Sequence, residues 1–433
     1  MDELVCSDVA PKLRSADGQS FVRRDGRPLL RPLTIDTNGE KSQSAIAGRR
    51  TADQRHSYRL VPLSAKKTNI ITACRGTNNP KSQQTTPSWE QSNEEKSRSE
   101  EPQGMLMGAP LGPDSGFVHR PVMLAEVLEC LSQAPAGIIL DATLGGAGHA
   151  QALLRARADI AVVGLDQDDN AVAAARAVLG KTMGARVTVA KARFGEASNA
   201  LDALGVGELA GCLFDLGVSS PQLDTPARGF SYRQDGPLDM RMDSSQELSA
   251  GRIVNGWPVE ELTRIIRAYG DERFAKRIAE AIFACRPIEG TAELAEVVRA
   301  AIPAATRRTG GHPAKRTFQA IRIAVNEELA QIQPGLEQAI ARLVPDGRGV
   351  VISYHSGEDR IVKTTLRQLA GLNDPARFQG LPRGVGQTAP AIELLEKRGR
   401  TPTEAEVRAN PRSSSARLRA FKKLPQPELA GGV

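Results

Sequence analysis

Gly137-Ile-Ile-Leu-Asp141 runs through Ala-Thr-Leu into Gly145-Gly-Ala-Gly148, and His149 opens a stretch of helical spacing beyond. An apolar run ending in an acid, then a glycine corner, then a helix is a strand–turn–helix unit. Glycines at such a corner let the backbone approach a ligand, and the helix amino end beyond favours a negative group. The pattern continues on both sides. Val122 to Leu131 reads as a helix before it. After it come a second strand, Ile160-Ala-Val-Val-Gly-Leu-Asp166, and an Ala-rich helix from Asn170 to Leu179. Arg186-Val-Thr-Val-Ala190 is a third strand, and Gly211-Cys-Leu-Phe-Asp215 a fourth, again with an acid at its end. Short apolar strands alternating with helices predict an α/β fold, a doubly wound, Rossmann-like parallel sheet.

The alternation then stops. Leu262, Ile265, Ile266 and Tyr269 follow helical spacing, as do Ala275, Ile278, Ala279 and Ile282, then Leu294, Val297, Val298 and Ala301, and finally Phe318, Ile321, Val325 and Leu329. Sheet character returns only at Gly349-Val-Val-Ile-Ser-Tyr354, a fifth strand. The expected organisation is a sheet domain in two parts, 116–225 and 333–424, around an inserted all-helical domain, 226–332. Residues 1–115 are rich in Ser, Thr, Asn, Gln, Lys and Arg without sustained periodicity, and Thr85 to Pro102 is almost wholly polar. Such a segment cannot bury enough surface to offset its ordering entropy, so it is expected to be a disordered extension, as is 425–433. Two readings of it are open, a tail that adds RNA affinity or a start assigned upstream of Met105 or Met107; on the second, a chain begun at Met107 is expected to keep full activity.

Asp166 closes the strand after the glycine corner, where an acid accepts hydrogen bonds from the ribose hydroxyls of a nucleoside. A dinucleotide needs G-x-G-x-x-G at the corner. This one reads Gly145-Gly-Ala-Gly-His-Ala and fails at the last glycine, so an adenosyl group without pyrophosphate fits better than NAD or FAD. Phe194 follows the third strand, placed to pack near an adenine. Asp215 leads Leu-Gly-Val-Ser-Ser-Pro-Gln222-Leu-Asp224 out of the sheet, at the position where doubly wound folds bind ligands. It is the candidate reaction-centre carboxylate, either orienting a nucleophile or holding the cofactor beside it.

Eight stretches closely resemble the bacterial 16S rRNA cytosine-N4 methyltransferase family. They are His119-Arg-Pro-Val-Met-Leu124, Asp141 to His149, Asp215 to Asp224, Arg228-Gly-Phe-Ser-Tyr232, Asp235 to Asp243, His312 to Arg322, Ile352 to Lys363 and Asn410 to Arg419, covering about 117 to 423 in the family's order. The resemblance implies a class I methyltransferase core with S-adenosylmethionine as methyl donor. Its substrate would be a decoding-region cytidine of 16S rRNA in the small ribosomal subunit, with Asp215, the strand-end acid, as the catalytic candidate. By position it carries cofactor contacts onto Ala147, Gly148, His149, Asp166, Phe194, Asp215 and Gln222. Ala147 stands where the family commonly has Gly, a methyl group tolerable on an ordinary backbone angle. Tyr354 and Gly357 replace the more usual Phe and Leu. A poor nucleophile such as a cytosine amine needs a carboxylate to orient it and bear the developing charge, and the base must leave its stack to reach the methyl group.

The remaining signals are weaker. Net charge is +7 with pI near 9.3, which suits a polyanionic partner without specifying one. The run Lys397, Arg398, Arg400, Arg408, Arg412, Arg417, Arg419, Lys422 and Lys423 is expected to contact backbone phosphate, and His312, Lys315 and Arg316 likewise. His355, Ser356, Glu358 and Asp359 are expected to wall the substrate base. Cys6, Cys74, Cys130, Cys212 and Cys285 are scattered, so neither a disulfide framework nor a zinc site is indicated, and the five histidines show no metal spacing. No apolar run approaches the ~20 residues of a membrane span. A cytoplasmic protein without membrane contact or metal is expected, and a homodimer is compatible with the chain.

Overall fold

The computed structural model describes residues 121–304, 311–372 and 389–425. The extension at 1–115, the candidate starts Met105 and Met107, and all of 425–433 beyond Pro425 lie outside the described residues. Seven strands form one sheet: β1 (Gly137–Asp141), β2 (Ile160–Asp166), β3 (Val187–Lys191), β4 (Leu209–Asp215), β5 (Leu343–Ser353), β6 (Ile392–Leu394) and β7 (Arg417–Lys423). Their order is β3-β2-β1-β4-β5-β7-β6. The first five in that order run parallel, and β7 lies antiparallel to both β5 and β6.

Strict alternation feeds two apolar layers. Ile138, Leu140, Val163, Leu165, Cys212, Phe214, Val351 and Phe421 point to one face and pack on the helix Glu328–Ala341 and its neighbours. Ile139, Val162, Leu213, Val350, Ile352 and Leu418 point to the other and meet the helices Leu124–Leu131, Gly148–Ala156 and Asp169–Met183. Continuous apolar runs are what strands covered on both faces require. The doubly wound fold expected from the strand pattern is the fold observed.

The insertion has its own core. Helices Ala250–Gly256, Val259–Gly270, Ala275–Ala284, Thr291–Ala301 and Lys315–Asn326 bury Ile253, Leu262, Ile265, Ile278, Leu294, Val298, Phe318 and Ile321 against one another. That core closes at Val325. At Glu327 the backbone turns left-handed (φ 52), and the next helix places Ile332, Leu336 and Ile340 under the sheet. Periodicity could not locate this junction, because the helical spacing passes through it from Val325 to Leu329 while the packing partner changes.

The C-terminal basic run is not all tail. Its last four cations, Arg417, Arg419, Lys422 and Lys423, lie on the strand β7, wedged between β5 and β6. Arg419 holds Asp359 through Nε (2.8 Å), Lys422 lies 3.5 Å from both Asp346 and Glu393, and Lys423 is buried with Nζ donating to the Ile340 carbonyl. Arg400 meets Glu129 and Glu396, Arg408 meets Glu404, and Arg412 meets Asp224. Five of these nine cations thus face carboxylates of the same chain, so much of the charge expected to meet phosphate already has a partner within the fold. Among the described residues no helix is long and apolar enough to cross a membrane.

Candidate active site

Parallel register brings three acids to one edge of the sheet. Asp141 pairs with Gly164 of β2 and Leu213 of β4, and two residues further along those strands lie Asp166 and Asp215. Asp141 is buried, and burial pushes its carboxyl up to about 7; the Thr143 amide opposes the rise and the charges of Asp215 and Asp166 add to it. Burial raises Asp166 too. Its carboxylate is built into the corner: Oδ2 accepts from Gly145 N (2.8 Å) and Oδ1 from Asp168 N (2.9 Å). One acid therefore ties the glycine corner to the end of β2, and each of its oxygens keeps a further acceptor site.

Gly145 takes φ +50, whereas Gly146 has open space where a side chain would begin. A Cβ on Gly148 would meet Pro121 Cγ at 2.5 Å, so close packing of the preceding segment demands glycine there. Ala147, fully buried, has φ 62 and ψ 21. The ordinary backbone angle assumed for it is not what the chain adopts. A left-handed alanine carries a strain of roughly 1–2 kcal/mol, held in place by the packing around it.

Asp215 is fixed from three directions. Its amide donates to Thr143 Oγ1 (2.6 Å), Tyr354 OH donates to Oδ1 (2.7 Å), and His149 Nδ1 lies 3.8 Å from Oδ2. Burial pushes the Tyr354 phenol up and the Asp215 charge pushes it further, so the hydroxyl keeps its proton and serves as donor. His149 is buried, and its Nε2 lies 3.0 Å from the Val122 carbonyl; the ring joins the start of the first described helix to the reaction-centre acid.

Gln222 is also buried but does not face a vacancy. Its Oε1 accepts from Ser219 N (2.9 Å) and its Nε2 donates to Asp168 Oδ2 (2.8 Å). Arg228 reaches that same oxygen at 2.8 Å while donating to the carbonyls of Arg241 and Met242. Asp168 caps the helix Asp169–Met183 and so joins β2, the loop after β4 and the approach to the helical insertion. Phe194 stands apart from this network: its ring lies edge-on to Phe214, 6.0 Å away, against Gly335.

The structure thus brings Ala147, Gly148, His149, Asp166 and Asp215 to one edge, with Gln222 behind them and Phe194 in the layer below. Asp168, Arg228 and Thr143 were not singled out from sequence, and Tyr354 was noted there only as a replacement for Phe. Asp168 had a signal, an acid two residues after a strand-ending acid and directly before a helix. Tyr354 had one as well, an added hydroxyl in an otherwise apolar strand end, but its partner is 139 positions away. The His355 block has partners within the chain. His355 caps the helix Ser356–Leu369, Glu358 is buried and accepts from Tyr354 N at 2.7 Å, and Asp359 is taken by Arg419. Glu358 thereby braces the backbone of Tyr354.

The model of the MraW methylase family matches residues 116–424. The chain belongs to the MraW methylase family. It is 50% identical over 315 residues to ribosomal RNA small subunit methyltransferase H of Thermobifida fusca, covering 71% of this chain and 94% of that one. Against the protein of the same name from Symbiobacterium thermophilum it is 49% identical over 319 residues, 72% of this chain and 99% of that one. The crystal structure of a rRNA methylase from Streptococcus thermophilus aligns with 72% of this chain and all of its own at 10% identity and a TM-score of 0.31. MraW membership rests on the sequence matches, which span the two parts of the sheet and the insertion between them.

Proposed function

We propose that this MraW methylase transfers the methyl group of S-adenosylmethionine to the exocyclic N4 of a cytidine in the decoding region of 16S rRNA. The observation that carries the reading is the edge where Asp141, Asp166 and Asp215 meet the glycine corner. Two buried carboxyls there are raised by desolvation and by neighbouring acids, an excess of negative charge that a cationic ligand relieves. The donor set suits an adenosyl sulfonium: Asp166 has acceptor capacity left for ribose hydroxyls, and Gly146 leaves the corner open. When bound, S-adenosylmethionine supplies an electrophilic methyl carbon.

The chain's own residues do the rest. Ala147, Gly148 and His149 present backbone and ring at the corner, and Phe194 supplies an aromatic edge for the adenine. Asp215 accepts a hydrogen bond from the incoming amine, orients its lone pair, offsets the positive charge that develops on nitrogen and takes up the proton the nitrogen loses as the methyl group is gained. Tyr354 and Thr143 hold Asp215 so that this geometry needs no rearrangement at the moment of transfer. Gln222 acts one step back, through Asp168. The helical insertion, 226–332 by periodicity and closing at Glu327 by its core, is the part proposed to grip the RNA, flanked by the methyltransferase parts 116–225 and 333–424. A ribosomal substrate places the enzyme in the cytoplasm.

The test is incorporation of labelled methyl from S-adenosylmethionine into purified 30S subunits, with naked DNA and tRNA as competitors. The expected product is N4-methylcytidine in 16S rRNA, read by mass spectrometry of nucleosides; labelling of DNA alone overturns the substrate.

A further inference from the structure

The helical insertion carries an aromatic stack that the chemistry at the sheet edge does not use. Tyr232 and His312 lie nearly parallel, 4.6 Å between ring centroids and 17° between planes. Phe318 supports Tyr232 edge-on from the core side at 5.8 Å. His312 is exposed, so the stack ends at solvent rather than in the core. Cations surround it. The Arg233 guanidinium sits 5.9 Å from the Tyr232 ring centroid, and Lys315, exposed, opens the helix Lys315–Asn326, while Arg316 beside it donates to the Asp271 carbonyl (2.9 Å) with Glu272 4.0 Å away.

The position matters as much as the composition. Tyr232 is four residues from Arg228, which holds Asp168 at the end of β2. Four residues span at most about 14 Å. The backbone of the stack therefore lies within that distance of Arg228, on the approach from the insertion to the end of β2.

We propose that His312 and Tyr232, with Arg233 and Lys315 beside them, form a subsite that stacks an unpaired nucleobase of the RNA strand flanking the target cytidine. This rests on the RNA-methylation reading above. The outer face of His312 receives the base, and the neighbouring cations take the adjoining phosphates. Base–aromatic stacking is insensitive to base identity because every base has a π face, so the subsite positions the strand rather than reads its sequence. It also holds the strand in the unstacked form that a flipped target needs.

The test uses the full chain and a labelled single-stranded RNA of about 12 nucleotides containing the target cytidine, followed by fluorescence anisotropy. His312→Ala should weaken binding about tenfold, within the range expected of one stacked base, and His312→Phe should restore it to within about threefold. The same strand with abasic positions beside the cytidine should bind wild type and His312→Ala alike. Lys315→Ala should lower the salt slope of binding by about one. Calorimetric affinity for S-adenosylmethionine stays unchanged in all variants, which shows that the fold survives. Wild-type affinity in His312→Ala, or the same preference for the intact over the abasic strand, overturns the proposal. Failure of the wild type to label 30S subunits instead overturns the substrate reading, while a loss of binding in His312→Ala still supports the subsite.

Discussion

Two charged regions of this molecule look alike in sequence and behave oppositely in structure. The acids at the ends of β1, β2 and β4 converge, and burial lifts two of them above their ordinary range. The cations from Arg400 to Lys422 lie along β7 and its approach, and most face carboxylates of the same chain. The first region stores electrostatic free energy that a ligand relieves; the second has already released it in folding. Charge marks function where desolvation leaves it uncompensated, and marks architecture where a partner is in place.

The largest effect expected from breaking that contrast is at Asp215. Asp215→Ala should lower kcat for 30S methylation by about 10²–10⁴-fold, the range of a positioned acid–base group, with an unaltered far-ultraviolet spectrum. Unchanged turnover removes Asp215 from the mechanism.

Asp141 comes next. Its carboxyl titrates near 3.8 when unfolded and about 7 when folded, so the folded state holds the proton more tightly. That contribution is fully present below the unfolded value and is lost as pH rises through the folded one. Asp141→Asn removes the dependence. Urea unfolding should therefore show the wild type losing up to about 4 kcal/mol relative to the variant between about pH 4 and pH 7. Parallel pH curves would show that the acid cluster is not strained in this way.

Tyr354→Phe sharpens the comparison, because it deletes only the hydroxyl that fixes Asp215. A fall in kcat of about threefold and a stability loss of about 1 kcal/mol are expected, with KM for S-adenosylmethionine unmoved. On the compensated side, Arg412→Ala breaks a pair whose partners are both largely exposed. Thermal unfolding should shift by less than about 1 kcal/mol equivalent, and the salt slope of RNA binding should not change. A reduced slope would return this arginine to the RNA interface.

The smallest effect is expected at Ala147→Gly. Release of roughly 1 kcal/mol of left-handed strain is offset by a lost buried methyl worth about 0.8 kcal/mol and by added freedom in the unfolded chain. Stability should stay within about 1 kcal/mol of wild type by urea titration.

Much of the site was legible because it sits at strand ends. Asp166 and Asp215 each close an apolar run, and the glycine corner announces itself between a strand and a helix. Gln222 was legible as a site residue, but its contacts to Asp168 and Ser219 were not, since only the folded loop creates them. Tyr354 was passed over as a neutral replacement, since nothing near it in the chain hints at a carboxylate 139 positions upstream. The acid partners of the basic run were not legible, because composition reports how many cations there are and not which acids fold back to meet them.

By itself the amino-acid sequence determined the strand–helix alternation, the separate helical insertion and the acid closing each of three strands, since these follow from side-chain period and from local backbone preference. Only the tertiary structure decided which charges would be matched, where one core ends and the next begins, and that Ala147 would take a left-handed angle. Those outcomes depend on groups far apart in the chain meeting in a low-dielectric interior, and pairing energy at a distance leaves no periodic trace along the chain.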